Sequence, residues 1–158
     1  GEFRPLLDNT LAELRRYAKQ ESVRIQDDYT FSFSEQSTLV SFDQASIIPL
    51  AQALFDVREI CQILFRARIH ALDRVRRVAI SSGATATPVI AFGAAAMGGG
   101  SDYWTKEMAT NDLAVLAPYE FTVHCFNEEL ARVLTGLYSS PYSFVVKNLV
   151  VDTSLRPS

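Results

Sequence analysis

Two strand-helix-strand patterns, separated by a glycine-rich stretch, predict an α+β fold for this chain. The first pattern spans residues 29–80 and the second spans residues 116–152, with residues 83–101 between them. Right-handed crossovers put the two helices on the same side of a sheet. The predicted arrangement is therefore ferredoxin-like, with a four-stranded antiparallel sheet covered by helices on one face. We expect one domain over residues 6–152, with short tails at residues 1–5 and 153–158.

An amphipathic helix is predicted over residues 6–21, ahead of the first pattern. Its apolar residues recur at spacings of four, three and four: Leu7, Leu11, Leu14 and Ala18. A stripe of this kind either packs against its own domain or continues a longer helix or coiled coil, and the spacing leaves both open. The opening Gly1-Glu2-Phe3 is typical of an expression-vector remnant. The native protein would then extend upstream, where a signal or a membrane anchor has room.

The first repeat begins with aromatic residues that alternate with polar ones from Tyr29 to Ser34, which indicates a half-buried strand. The strongest helix pattern follows, with apolar residues three and four apart from Ile47 to Leu64. Ser46 is a plausible N-cap for this helix, and Pro49 is tolerated in a first turn. Residues 72–80 then predict a strand, with one irregularity in its alternation that is typical of a bulge.

The second repeat opens with a period-two alternation from Tyr119 to Cys125, which predicts a strand with one buried face. Asn127 is a favourable N-cap for the helix that follows, and Pro141 ends that helix. Residues 142–151 are apolar nearly throughout, so we predict a strand inside the sheet.

The stretch between the repeats has a different composition. Five of the seven glycines of the chain lie within residues 83–101, among alanines and threonines. Such a stretch has few side chains to pack and much backbone entropy to lose, so it is predicted to be a flexible linker or a long loop. Trp104 follows directly, and we expect it to anchor this loop where ordered structure resumes.

The composition excludes several classes of function. A net charge of -3 gives no reason to expect broad binding to nucleic acid or to anionic membranes. The basic run from Arg66 to Arg77 is either a solvated helix end and sheet edge or a phosphate or nucleic-acid site, and the first is the commoner case. Cys61 and Cys125 are expected to be free thiols. No apolar run is long enough to span a bilayer.

The residue types that carry chemistry do not form a known constellation in this sequence. His70 and His124 have no metal-ligand spacing with cysteine or carboxylate, and no serine lies in a nucleophile elbow. An acylphosphatase needs glycine and arginine in the loop after the first strand, and residues 35–43 contain neither. We therefore predict no catalytic residue, no metal site and no cofactor.

The sequence resembles the periplasmic domain of PilO-type proteins and of their secretion counterpart GspM. The resemblance is carried by the stretch from Tyr29 to Phe33 that leads to a helix at Ser46. It is carried also by the stretch from Tyr119 to Val123, which leads through Asn127-Glu128-Glu129-Leu130 to residues 144–151. Such proteins are bitopic inner-membrane components of type IV pilus and type II secretion platforms. By analogy, a cytoplasmic tail, a membrane helix and a coiled coil would precede this chain.

The resemblance implies a non-catalytic assembly protein on the periplasmic side of the bacterial inner membrane. Its expected partner is a second copy or a paralogous PilN-like platform protein, in a homo- or heterodimer. We expect the partner surface on the sheet face that carries Glu120, Thr122 and His124, together with the helix stripe Leu7, Leu11, Leu14 and Ala18. A small-ligand regulatory domain and an acylphosphatase-like hydrolase are the alternative functions on a ferredoxin-like fold.

Overall fold

The computed structural model describes residues 2–80, 102–103, 109–110 and 115–153. Helices and strands both occur in these ranges, which confirms the α+β class. The helices are α1 (Phe3–Gln20), α2 (Ser34–Thr38), α3 (Gln44–Arg66) and α4 (Asn127–Ser139). The strands are β1 (Ala71–Arg77), β2 (Ala109–Thr110), β3 (Val115–Leu116) and β4 (Tyr119–His124). The predicted linker at residues 83–101, and Trp104, lie outside the described residues.

The hydrophobic core lies mainly between α1, α3 and β1. The apolar stripe of α1 packs against that of α3, and α3 also contacts α4. The ring of Phe3, expected as a vector remnant, is buried in this core and meets the edge of Phe42 at 4.9 Å between ring centroids. Because α3 begins at Gln44, Pro49 lies in its second turn rather than its first, where proline removes one backbone hydrogen bond.

The main sheet has two strands, with β1 antiparallel to β4. Val75 lies opposite Phe121, Arg76 lies opposite Glu120, and the register shifts between Leu72 and Arg74. The shift confirms the predicted irregularity. β2 and β3 form a separate ladder of two residues each. The described residues therefore contain no four-stranded sheet, and the ferredoxin-like prediction is wrong.

The predicted strand at residues 29–34 is a turn that leads into α2. Phe31 and Ser32 have φ angles of 50° and 76°, in the left-handed region that strands do not use. The Phe33 amide donates to the Thr30 carbonyl at 2.8 Å, which closes the turn. Phe31 and Phe33 are nevertheless both buried. The aromatic alternation therefore indicates which side chains are buried. It does not indicate an extended backbone.

The predicted strand at residues 142–151 is also absent. Residues 143–153 follow α4 without regular secondary structure, and no described strand pairs with them. β-branched residues favour the extended conformation, but a strand also needs the backbone of a neighbour. The first repeat therefore lacks its opening strand and the second lacks its closing strand.

Candidate interaction surface

The outer face of the β1–β4 sheet carries the three β4 residues that were predicted to meet a partner. Phe121 and Val123 pack against the hydrophobic core. Because side chains alternate along a strand, Glu120, Thr122 and His124 lie on the opposite face. The structure thus brings these three residues together on one side of β4, as the period-two pattern implied.

Charged residues of β1 neutralise much of this outer face. The Arg76 Nε lies 3.4 Å from the Glu120 Oε1, and the Arg74 Nη2 lies 3.9 Å from the same oxygen. The Nε2 of His124 lies 2.6 Å from the Oδ2 of Asp73, within the irregular part of β1. Surface pairs of this kind add little stability. They balance the charge of the outer face. A partner would therefore not meet an electrostatic potential of a single sign on this face.

The α1 stripe lies elsewhere. Its four apolar residues are buried in the core of the chain itself: Leu7, Leu11, Leu14 and Ala18. Packing against its own domain, one of the two interpretations of this stripe, accounts for all four. In this structure the stripe has no surface to offer a partner, so we leave it out of the interaction surface.

Among the described residues, the longest run of exposed apolar side chains lies in residues 143–153, which we call the C-terminal segment. Val145 and Val150 are 73% and 83% exposed, and Val146, Leu149 and Val151 are exposed as well. Just before the segment, the ring of Tyr142 meets that of Phe55 in α3 at 5.0 Å between centroids. Phe144 packs against the core. The apolar composition of this run predicted a strand inside the sheet, and it contained no indication that the run would be exposed.

A buried arginine forms the densest polar cluster of the described residues. The Arg77 side chain is 1% exposed, and its Nη2 donates to the Oε1 of Gln36 at 2.7 Å. The guanidinium lies over the rings of Phe33 and Tyr103, at 4.3 and 5.1 Å from the ring centroids. Burial lowers the pKa of Arg77, and nearby Tyr103 and Asp102 oppose that shift. The sequence placed Arg77 in a solvated basic run and gave no signal of this burial.

The same cluster attaches residues 102–103 to α2. The Ser34 amide donates to the Oδ2 of Asp102 at 3.1 Å, and the Tyr103 hydroxyl donates to the Glu35 carboxylate. Burial, together with the bond to Glu35, raises the pKa of Tyr103 to about 12. These groups are engaged with other groups of the chain, so we assign the cluster a structural role.

The basic run from Arg66 to Arg77 does not form a continuous positive surface. Arg68 pairs with Glu21 at 3.0 Å, near the end of α1. Arg74 and Arg76 face Glu120, and Arg77 is buried. A phosphate or nucleic-acid site needs several arginines whose side chains converge on one position. Here they lie in three separate places: beside Glu21, beside Glu120 and in the interior.

The described residues offer few groups suited to catalysis. They contain no cluster of three or more histidine, cysteine or acidic side chains able to hold a metal ion. Cys61 and Cys125 are free, and burial raises the pKa of both thiols, which disfavours the reactive thiolate. An open groove of about 380 Å³ between α1 and α3 is lined by polar side chains that include Glu13 and Arg66.

Two further findings bear on the identity of the chain. None of the helices in the described ranges is both long enough and apolar enough to cross a membrane. Comparison of the chain with models of protein families, with curated proteins and with solved structures finds no match.

Proposed function

We propose that the chain is a non-catalytic assembly domain that acts by pairing with another protein domain. One observation carries this proposal: the C-terminal segment exposes five large aliphatic side chains along a single run. A contiguous apolar patch on a folded domain is typical of a surface that meets a protein or a membrane. The segment carries only two charged residues, Lys147 and Asp152, so it is poorly suited to an anionic lipid surface.

The use of the titratable groups supports a non-catalytic role. The Tyr119 hydroxyl donates to the Oδ2 of Asp56 at 2.7 Å and so connects β4 to α3. His124 pairs with Asp73 on the outer face of the sheet. In each case the partners hold elements of the chain together, and none of these pairs lies in the open groove between α1 and α3.

The specific form of the proposal is a component of a type IV pilus or type II secretion platform, held at the periplasmic side of the inner membrane by an upstream anchor. Its partner would be a second copy or a PilN-like paralogue. This form of the proposal is supported by α3 in the first repeat and by β4 and α4 in the second, which match a helix, a strand and a helix of the resemblance. The strands expected at residues 29–33 and 144–151, and the four-stranded sheet, are not formed by the described residues.

Light scattering coupled to size-exclusion chromatography tests the proposal, on the chain alone and mixed with a PilN-like periplasmic domain. We expect association in at least one of the two samples. The variant Val150→Asp should weaken it by about tenfold or more, since a charge would enter an apolar contact. Ile48→Asp is the matched control, because Ile48 is 80% exposed on α3 and lies outside the segment.

The control should associate like the unmodified chain. A chain that stays monomeric at high concentration and does not bind the PilN-like domain would contradict the proposal.

A further inference from the structure

We propose that the C-terminal segment of one chain adds as a β-strand to the free edge of β4 in a second copy. Two chains would exchange their segments about a two-fold axis. The inference rests on the proposed function, and it names the partner, a second copy of this chain, together with the way in which the two copies meet.

The C-terminal segment has the composition of a strand but lacks the bonds of one. Val145, Val146, Val150 and Val151 are β-branched, and no proline or glycine interrupts residues 143–153. Among the described residues, none exchanges a backbone hydrogen bond with this segment. An apolar, weakly charged run that leaves its backbone unpaired favours pairing with an exposed strand.

The outer edge of β1 is closed by groups from other parts of the chain. The Leu72 amide donates to the Arg24 carbonyl at 2.9 Å, and the Val75 amide donates to the Tyr29 hydroxyl at 2.7 Å. Farther along, the Arg77 amide donates to the Asp102 carbonyl at 3.0 Å. Because three different segments supply acceptors along this edge, β1 has no room for a further strand.

Among the described residues, none covers the outer edge of β4 in this way. The amides of Val75 and Arg77 point away from β4. The alternate residues of β1, Arg74 and Arg76, therefore exchange backbone hydrogen bonds with β4. The backbone groups of Phe121 and Val123 then face the other side of β4. No other described strand pairs there. An uncovered strand edge is a template for an added strand.

The two features match each other in length, and neither carries a large charge. β4 has six residues, and the run from Phe144 to Val151 has eight. Lys147 is the only charged residue in that run, and Glu120, the only acidic residue of β4, is balanced by Arg74 and Arg76 of β1. Strong charge repulsion therefore does not oppose the pairing.

A second copy is the partner that satisfies both features at once. Within the described residues, each chain carries one uncovered edge and one segment without a strand partner, and the two do not pair with each other. The contact of Tyr142 with Phe55 holds the residue just before the segment against α3. Reciprocal exchange between two chains uses both edges and both segments in a closed, symmetric contact that leaves neither unpaired.

The test combines light scattering with amide hydrogen exchange on the full chain. The double variant Leu149→Pro and Val150→Pro removes one amide on each side of the added strand, whichever side faces β4. The matched control is Leu149→Thr and Val150→Thr, which keeps both amides. Both positions are exposed, so neither variant disturbs the core. We expect the unmodified chain and the control to dimerise, with slow exchange at Phe121 and Val123.

The proline variant should dimerise at least about tenfold more weakly and exchange freely at both β4 amides. A synthetic peptide of residues 143–152, added to the proline variant, should restore slow exchange at those amides.

Four results would overturn the strand exchange. If the proline variant dimerises as well as the control, or if the β4 amides exchange freely in the dimer, the copies meet by another surface and the proposed assembly function stands. If the chain is monomeric but binds the PilN-like domain, the second copy is the wrong partner and the assembly function again stands. If it does neither, both proposals fail.

Discussion

Residues 3–77 and residues 119–153 contain comparable apolar patterns, but the two regions bury them to very different extents. In the first region α1, α3 and β1 cover one another, and their stripes are buried. In the second region Val133 is the only buried apolar residue among those described. A pattern therefore specifies which face of an element is apolar. Whether that face is covered within the chain depends on the elements that pack against it.

The two regions are joined mainly by the pairing of β4 with β1 and by the packing of α4 on α3. The Tyr119 hydroxyl also donates to Asp56 in α3. Burial and that hydrogen bond raise the pKa of Tyr119. α4 crosses α3 at Gly136, where an added Cβ would lie 2.7 Å from the Cγ2 of Ile63. The first region thus holds most of the hydrophobic core, and β4 and α4 of the second region cover one side of it.

The largest contrast is expected between matched leucines. Leu54 in α3 is 2% exposed, and Leu149 in the C-terminal segment is 53% exposed. Leu54→Ala should lower the free energy of unfolding by about 2–5 kcal/mol, because it opens a cavity in a packed core. Leu149→Ala should change it by less than about 0.5 kcal/mol in the monomer. Urea unfolding monitored by circular dichroism measures both, and similar losses would contradict the contrast.

The next largest difference in stability is expected between two arginines at the end of β1, Arg77 and Arg76. Arg77→Ala should cost about 2–3 kcal/mol, because the buried Gln36 oxygen loses its donor and two aromatic rings lose the packed arginine stem. Arg76→Ala, on the outer face, should cost about 0.5 kcal/mol or less, since it breaks only a partly exposed ion pair. The measurement is again urea unfolding. A larger loss for Arg76→Ala would mean that the outer face, rather than the buried cluster, holds this end of the strand.

Alkaline pH should lower the free energy of unfolding through the ionisation of Tyr29. Burial raises the pKa of Tyr29 from 10.0 to about 12, although its bond to the Val75 amide acts in the opposite direction. Between these two values the unfolded chain has lost a proton that the folded chain still holds. The stability that Tyr29 contributes is therefore complete below pH 10 and declines as the pH rises to about 12. After allowance for solvent screening, the decline should be about 1 kcal/mol.

The variant Tyr29→Phe should flatten this decline, as measured by unfolding free energies across that pH range. Tyr138→Phe is the matched control, because its hydroxyl lies on an exposed residue of α4. An unchanged slope in Tyr29→Phe would show that other groups govern the alkaline loss.

The smallest expected effect is at the junction of the two regions. Gly136→Ala should destabilise the chain by about 1 kcal/mol, because crowding against Ile63 outweighs the gain in helix propensity. Combining it with Ile63→Ala should relieve the crowding, so the two changes should be non-additive by about 0.5 kcal/mol or more in a double-mutant cycle. Additive losses would mean that α4 shifts freely on α3, and that the second region is attached less firmly than the structure indicates.

Local periodicity was sufficient to find most of the regular elements. The helix predicted at residues 6–21 is α1 (Phe3–Gln20), and the patterns starting near Ser46, Leu72, Tyr119 and Asn127 became α3, β1, β4 and α4. Each of these patterns repeats over enough residues to distinguish a helix from a strand. The six-residue alternation at Tyr29 is too short for that, because a turn can bury the same aromatic residues. For the surface, the pattern determined that Glu120, Thr122 and His124 share one face of β4.

The sequence by itself determined the type of most elements and the side of each that is apolar, because those properties depend on residues a few positions apart. Only the tertiary structure decided which faces are covered. It buried the α1 stripe and Arg77, turned the backbone at Phe31, and placed none of the described strands beside the C-terminal segment. Each of these outcomes depends on hydrogen bonds or packing between groups far apart in the chain. A local sequence pattern does not indicate whether such a distant group will be in contact.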